Sequence, residues 1–167
     1  MKTLILMRHA KSSWKDPYLK DRDRPLNEIG KKEIPVMSEL FIEQELLPEV
    51  ILSSSAARAR QTVDMLAEAS GFQGEVQYLD SFYMAESQQY LDAVKALPNK
   101  LERVMIVGHN PGLEGLLQIL SGQLKSLPTA AIAYISLPIQ NWRDLGDGVA
   151  GELIGLWQPR DLKKEKK

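Results

Sequence analysis

The chain contains no cysteine. That excludes disulfides, thiolate metal sites and cysteine nucleophiles, and it fits a reducing compartment. Histidine is nearly absent too: only His9 and His109 occur. An imidazole-built metal site needs more ligands than these, so neither a metal nor a cofactor is expected. No apolar run approaches the ~20 residues that a spanning helix requires, and no G-x-x-x-x-G-K-[ST] segment is present, which argues against P-loop nucleotide handling. Charge of one sign is also missing. With 21 basic and 22 acidic residues the net charge is −1, which points to neither nucleic acid nor an anionic membrane as partner. A soluble, cytoplasmic protein is the expectation.

What is present is an ordinary globular balance, 44% hydrophobic and 26% charged over 167 residues, enough chain for one domain with a substantial core. Residues 1–160 are expected to form that domain and 161–167 a charged, frayed tail. Leu4 to Met7 reads as a buried strand that stops at Arg8-His9. Residues 15–26 carry two prolines and many charges and read as a loop. Asn27 is placed to cap a helix running to about Leu47, with Ile29, Met37, Leu40 and Phe41 inward. Pro35 either kinks this helix or lies in its first turn, with the start then near Glu33.

Val50-Ile51-Leu52 is a second strand, followed by Ser53-Ser54-Ser55 and a helix that Gly71 ends. Glu75 to Leu79 is a weak third strand, Gln88 to Leu97 a helix, and Arg103 to Val107 a strong fourth strand. Asn110 and Pro111 suit the start of the next helix, which Gly122 ends. Thr129 to Leu137 and Glu152 to Trp157 are two further strands, joined by a turn-rich stretch around Gly146-Asp147-Gly148. Strand–helix alternation of this kind predicts a three-layer α/β/α sandwich with a mostly parallel sheet. The last strand lacks a preceding helix and is expected to be an antiparallel edge strand.

In a parallel sheet, Arg8 and His9, Arg58 and His109 all follow strand ends on one rim, where ligands of open α/β sheets bind. Arg58 falls in the first turn of its helix, where the terminal dipole disfavours a cation unless an anion is bound. Two arginines, two histidines and helix amino-termini make a cationic pocket suited to a phosphoryl group. A neutral imidazole can attack phosphorus and carry the group covalently, while arginine forks hold the equatorial oxygens.

Four segments sharpen this. Leu6-Met-Arg8-His9-Ala-Lys-Ser-Ser-Trp14 resembles the Arg-His-Gly signature of the histidine phosphatase superfamily, the phosphoglycerate-mutase-like group. Asp23-Arg-Pro-Leu-Asn-Glu-Ile-Gly30 resembles its D-x-P-L-[ST]-x-x-G segment. Ser53 to Thr62 resembles its S-S-P-x-x-R-A-x-Q-T segment, and Val107-Gly-His109-Asn-Pro-Gly112 its second-histidine motif. Short length and the Lys-Ser-Ser-Trp variant look most like the small SixA-type phosphohistidine phosphatases. The resemblance implies that His9 is the nucleophile that becomes phosphorylated, that Arg8, Arg58 and His109 hold the phosphoryl group, and that Ser12 donates a hydrogen bond to it. Asp80, after the third strand, is the preferred proton donor, with Glu86 or no acid at all as alternatives. Ala10 stands where the family has glycine and Ser55 where it has proline. Asp23 and Arg24 are read as fixing their loop by ion pairing.

The implied activity is metal-independent hydrolysis through phospho-His9, with a phosphohistidine-bearing protein as the expected substrate. A small-molecule phosphomonoesterase is the alternative enzyme. A non-catalytic phospho-ligand binding module is the alternative outside enzymes. The segment Lys11 to Trp14 either lines the mouth of the site or packs the loop.

Overall fold

The computed structural model describes residues 1–146 and 148–165, so Asp147 of the turn-rich stretch and Lys166 and Lys167 of the predicted tail lie outside the described residues. Among the described residues six strands are formed: β1 (Lys2–Arg8), β2 (Val50–Ser54), β3 (Glu75–Leu79), β4 (Arg103–Gly108), β5 (Ile132–Leu137) and β6 (Glu152–Trp157). Five helices accompany them: α1 (Glu28–Glu43), α2 (Ala57–Ser70), α3 (Ser87–Lys95), α4 (Gly112–Ser121) and α5 (Pro159–Glu165). No described helix is long and apolar enough to cross a membrane.

Leu4, Ile5, Leu6 and Met7 are all fully buried, because the sheet is covered on both faces. Alternate side chains go opposite ways. Leu4 and Leu6 join Val104 and Ile106 under α3 and α4, and Ile5 and Met7 join Met105 and Val107 under α1 and α2. Each such side chain contributes roughly 1.5–3 kcal/mol by leaving water. Three layers, α/β/α, follow from this continuous apolar run.

The strand order is β3-β2-β4-β1-β5-β6. The four strands β1 to β4 are parallel. The reversal of direction falls one strand further in than the sequence predicts. β5 runs antiparallel to β1, and the edge strand β6, antiparallel to β5, points the same way as β1. The route of residues 122–131 is the reason. This segment climbs back to the rim, where the Ala130 N–H bonds the Arg8 and His9 carbonyls at 3.1 Å, so β5 must start at the rim and run down.

Three local expectations are corrected. Asn27 does cap α1, accepting from the Gly30 N–H at 2.8 Å, so the helix begins at Glu28 and Pro35 lies inside it. Its buried stripe is Gly30, Ile34, Met37 and Phe41, with Leu40 beside it, whereas Ile29 is half exposed. Asn110 does not cap α4; its side chain donates to the Leu127 carbonyl at 2.8 Å. Finally, the predicted frayed tail is helical through Glu165. Pro159 takes the first helical position, Asp161 sits in the first turn, and Leu162 packs on the core cluster beneath α1 and α2.

Candidate active site

The pairing register brings the site together. Arg8 lies beside Gly108 across β1 and β4, and Ser53 beside Val107 across β2 and β4. Arg8-His9, Ser54-Ser55 and His109 are thus delivered to one rim. The loop after β1 is then clamped from outside. Ser12 bridges to Leu26, the Asn27 N–H bonds the Lys11 carbonyl at 2.9 Å, and the Ala10 N–H bonds Thr62 Oγ1 at 3.0 Å. Gln61 accepts from the Leu26 N–H at 2.8 Å. Gly30 comes so close that a Cβ there would lie 2.3 Å from the Lys11 carbonyl oxygen. The glycine of the second motif and the Gln-Thr of the third are therefore spent on holding this loop. Ala10, at the family's glycine, has no positive φ to accommodate.

His9 and His109 are both buried, with ring centroids 5.0 Å apart and planes tilted by 55°. His9 Nδ1 lies 2.7 Å from the Ala10 carbonyl oxygen. A carbonyl only accepts, so Nδ1 carries the proton and Nε2 keeps its lone pair. His109 Nε2 is 2.7 Å from Ser54 Oγ, which also accepts from the Ala56 N–H at 3.1 Å. A hydroxyl so placed is best used as donor to Nε2, which leaves the His109 Nδ1–H for a ligand oxygen.

Burial, as the first cause, pushes His9 down to about 3 from the ordinary 6.5. Burial and then the Arg58 charge push His109 down to about 4. Both rings are neutral in the folded protein at neutral pH. The unfolded chain takes up their protons near 6.5 and binds more protons than the folded one between that value and about 3 to 4. Stability is therefore greatest above about 6.5 and falls as the pH drops through this window. Urea midpoints at pH 7 and pH 4.5 should differ less for a His9→Gln/His109→Gln double variant than for the wild type. An equal difference would remove the histidines as the cause.

Arginines form the floor. Arg8 donates to the Leu127 carbonyl at 3.2 Å, and its Nε is buried without a hydrogen-bond partner, a costly arrangement that a ligand oxygen would relieve. Arg58 is 5% exposed. It donates through Nη1 to the Asp21 carbonyl at 2.7 Å and through Nη2 to Asp21 Oδ2 at 3.1 Å. Asp21 in turn accepts from Arg24 at 2.7 Å and from the Tyr83 hydroxyl at 2.5 Å. These donors, Tyr83 first, hold its carboxyl at about 2. Arg24 also donates to Ser12 Oγ at 2.6 Å and to the Ser13 carbonyl at 3.0 Å. Together with Lys11, Trp14, Met84, Asn110 and Thr129, the residues Arg8, His9, Ser12, Arg24, Arg58 and His109 line a cleft of about 320 Å³.

Five of the six predicted site residues thus meet: Arg8, His9, Ser12, Arg58 and His109. Asp80 does not. It lies outside the cleft lining, its carboxylate accepts from Ser55 at 2.5 Å and pairs with Arg22 at 2.6 Å, and these partners, Ser55 first, lower its pKa. A carboxylate held ionised in this way is a poor proton donor, which corrects the expectation for Asp80. Glu86 is occupied as well, closing a reciprocal cap with Gln89 at the start of α3. Sequence reasoning missed Ser54, Asp21 and Tyr83. It read Arg24 as fixing its loop by ion pairing, and the carboxylate that Arg24 pairs with is that of Asp21. The only signal for Asp21 was its membership of a charged Asp-Arg-Asp-Arg run.

Known proteins share the sequence and the fold of this chain. Residues 4–83 match the model of the histidine phosphatase superfamily (branch 1). An uncharacterized chloroplastic protein of Arabidopsis thaliana is 34% identical over 151 residues, covering 84% of this chain and 69% of that protein. Among solved structures, the candidate phosphohistidine phosphatase SixA of Agrobacterium tumefaciens is 32% identical, with a TM-score of 0.82 over 95% of this chain and 98% of that one. The protein histidine phosphatase SixA complexed with tungstate has the same fold, with a TM-score of 0.82 and 22% identity over 96% of this chain and 99% of that one.

Proposed function

This chain belongs to the histidine phosphatase superfamily and is a phosphatase, and from that premise we propose that it hydrolyses phosphohistidine on a protein through a phospho-His9 intermediate. The observation that carries the substrate class is the cleft lining. Among the described residues that line it there are four cations, Arg8, Lys11, Arg24 and Arg58, and no carboxylate. The site is built to hold a phosphoryl group and offers no carboxylic acid to protonate a leaving alkoxide. A phosphoimidazole protonated on its distal nitrogen needs no such acid, because it leaves as a neutral ring.

In the first step the lone pair of His9 Nε2 attacks phosphorus and the bond from phosphorus to the substrate nitrogen breaks. The equatorial oxygens are held by Arg8, Arg58 and the His109 N–H, donors that are in place before substrate binds. In the second step water attacks the phosphoryl group, His9 Nε2 leaves with the bonding pair, and inorganic phosphate is released. Free histidine side chain and phosphate are the net products. Phosphate contacts from Ser12 use the hydroxyl proton, since its oxygen already accepts from Arg24.

A substrate panel tests this reading in the presence of a chelator. Because general acid catalysis contributes about 10²–10⁴-fold, a phosphohistidine protein should exceed a phosphoserine peptide and a sugar phosphate in kcat/KM by about that factor. A faster sugar phosphate would make the chain a small-molecule phosphomonoesterase, and turnover of none would make it a binding module.

A further inference from the structure

We propose that Trp14 and Met84 form an apolar clamp at the mouth of the cleft that grips the planar ring of the leaving group. The clamp rests on the phosphohistidine reading and deepens it: it assigns the residues that tell an imidazole-borne phosphoryl group from one without a ring. Single exposed apolar residues need no explanation on a protein surface. These two differ in three respects.

First, both line the cleft that holds the arginines and histidines, yet Trp14 is 76% and Met84 70% exposed. Their apolar surface faces solvent beside a floor of arginines and histidines.

Second, each is anchored to the site, Trp14 through its ring and Met84 through its chain neighbours. The Trp14 ring lies against the Arg24 guanidinium, whose central carbon is 3.2 Å from the ring centroid. Arg24 is itself fixed by Ser12, Ser13 and Asp21. Met84 is held from both sides. Its neighbour Tyr83 bonds Asp21, and the next residue, Ala85, is buried against Gly112, where a Cβ would lie 2.2 Å from the Ala85 carbonyl oxygen.

Third, Met84 takes φ of 53°, a left-handed conformation that costs a bulky residue energy. Nothing buried rewards it, since the side chain projects to solvent. A pre-placed aromatic face and a polarizable thioether are a fit surface for a flat heterocycle. A ringless alkyl or ammonia leaving group would gain far less from them.

The test compares two substrates that share the P–N bond and differ in the ring: a phosphohistidine peptide and phosphoramidate. For Trp14→Ala the ratio of kcat/KM, peptide over phosphoramidate, should fall about 5- to 10-fold, the scale of one aromatic contact. Met84→Ala should move the same ratio in the same direction, and Trp14→Phe should restore most of it. Because the ratio is internal to each variant, a loosened phosphate site, which slows both substrates alike, does not mimic the effect. A ratio unchanged in both alanine variants, with wild type active on the peptide, overturns the clamp alone. A wild type that hydrolyses phosphoramidate but not the peptide overturns the phosphohistidine reading and the clamp with it.

Discussion

His9→Ala is expected to lower phosphatase turnover by about 10⁶, the scale on which enzymes lose activity when an activated nucleophile is removed. The expectation rests on how completely this ring is prepared. Its Nδ1 proton is committed to the Ala10 carbonyl at 2.7 Å, so the lone pair is confined to Nε2. Burial, aided by the charges of Arg58 and Arg8, keeps the ring unprotonated down to a pH of about 3. No protonation equilibrium therefore subtracts from the nucleophile at neutral pH, and no other described group in the cleft is placed to substitute for it. The check is single-turnover and steady-state rates on a phosphohistidine peptide, together with acid-labile labelling of the enzyme by labelled phosphoryl donor. Label should accumulate on wild type and be absent from His9→Ala. Retention of full activity by His9→Ala would sink the covalent mechanism. Phosphate binding to the variant should persist, because Arg8, Arg58 and His109 remain.

How much of this was open to sequence reasoning depends on whether a feature is local. The end of β1 was legible because a buried apolar run stops at an arginine and a histidine; β4 likewise gives way to His109, and β2 stops in serines. Local caps were legible too: Asn27 before α1, and Gly71 after α2, where φ is 78°. The reversal at β5 was not. It is dictated by where residues 122–131 run, and that route is held by contacts from Leu127 and Ala130 to Arg8, His9 and Asn110. Helix α5 was missed because a seven-residue segment rich in charge has little propensity signal of its own, and packing of Leu162 decides it.

Within the site the same division holds. His9, Arg58 and His109 carry motif spacing. Asp21 and Tyr83 carry none, since their roles exist only through hydrogen bonds spanning 37 and 62 residues. Asp80 shows the opposite failure. Its position at the end of β3 was read correctly, but position says nothing of partners. Ser55 stands where the family has proline, and its hydroxyl is one of the two groups that hold the Asp80 carboxylate. A proline there would have no such donor.

Arg58→Ala is expected to lower kcat/KM by about 10²–10³, the cost of removing one preorganised donor from a developing oxyanion. The position itself argues for a phosphate role. An arginine in the first turn of a helix opposes the helix dipole, and burial adds a desolvation cost. Asp21 offsets both in the free enzyme, with a fork to its carbonyl and carboxylate. Alanine would remove the donor and also leave the Asp21 carboxylate less covered beside an incoming dianion, adding repulsion. Lysine should recover little, because a point charge cannot reproduce the planar fork. The two costs separate in a double-mutant cycle. If the exposed carboxylate carries part of the loss, Arg58→Ala/Asp21→Asn will be more active than Arg58→Ala alone, although Asp21→Asn by itself slows the wild type by loosening Arg58. Initial rates on a phosphohistidine peptide and calorimetric binding of tungstate give both halves of the cycle. An Arg58→Ala variant within about tenfold of wild type, well under the loss of one oxyanion donor, would show that Arg8 and His109 suffice to hold the transferred group.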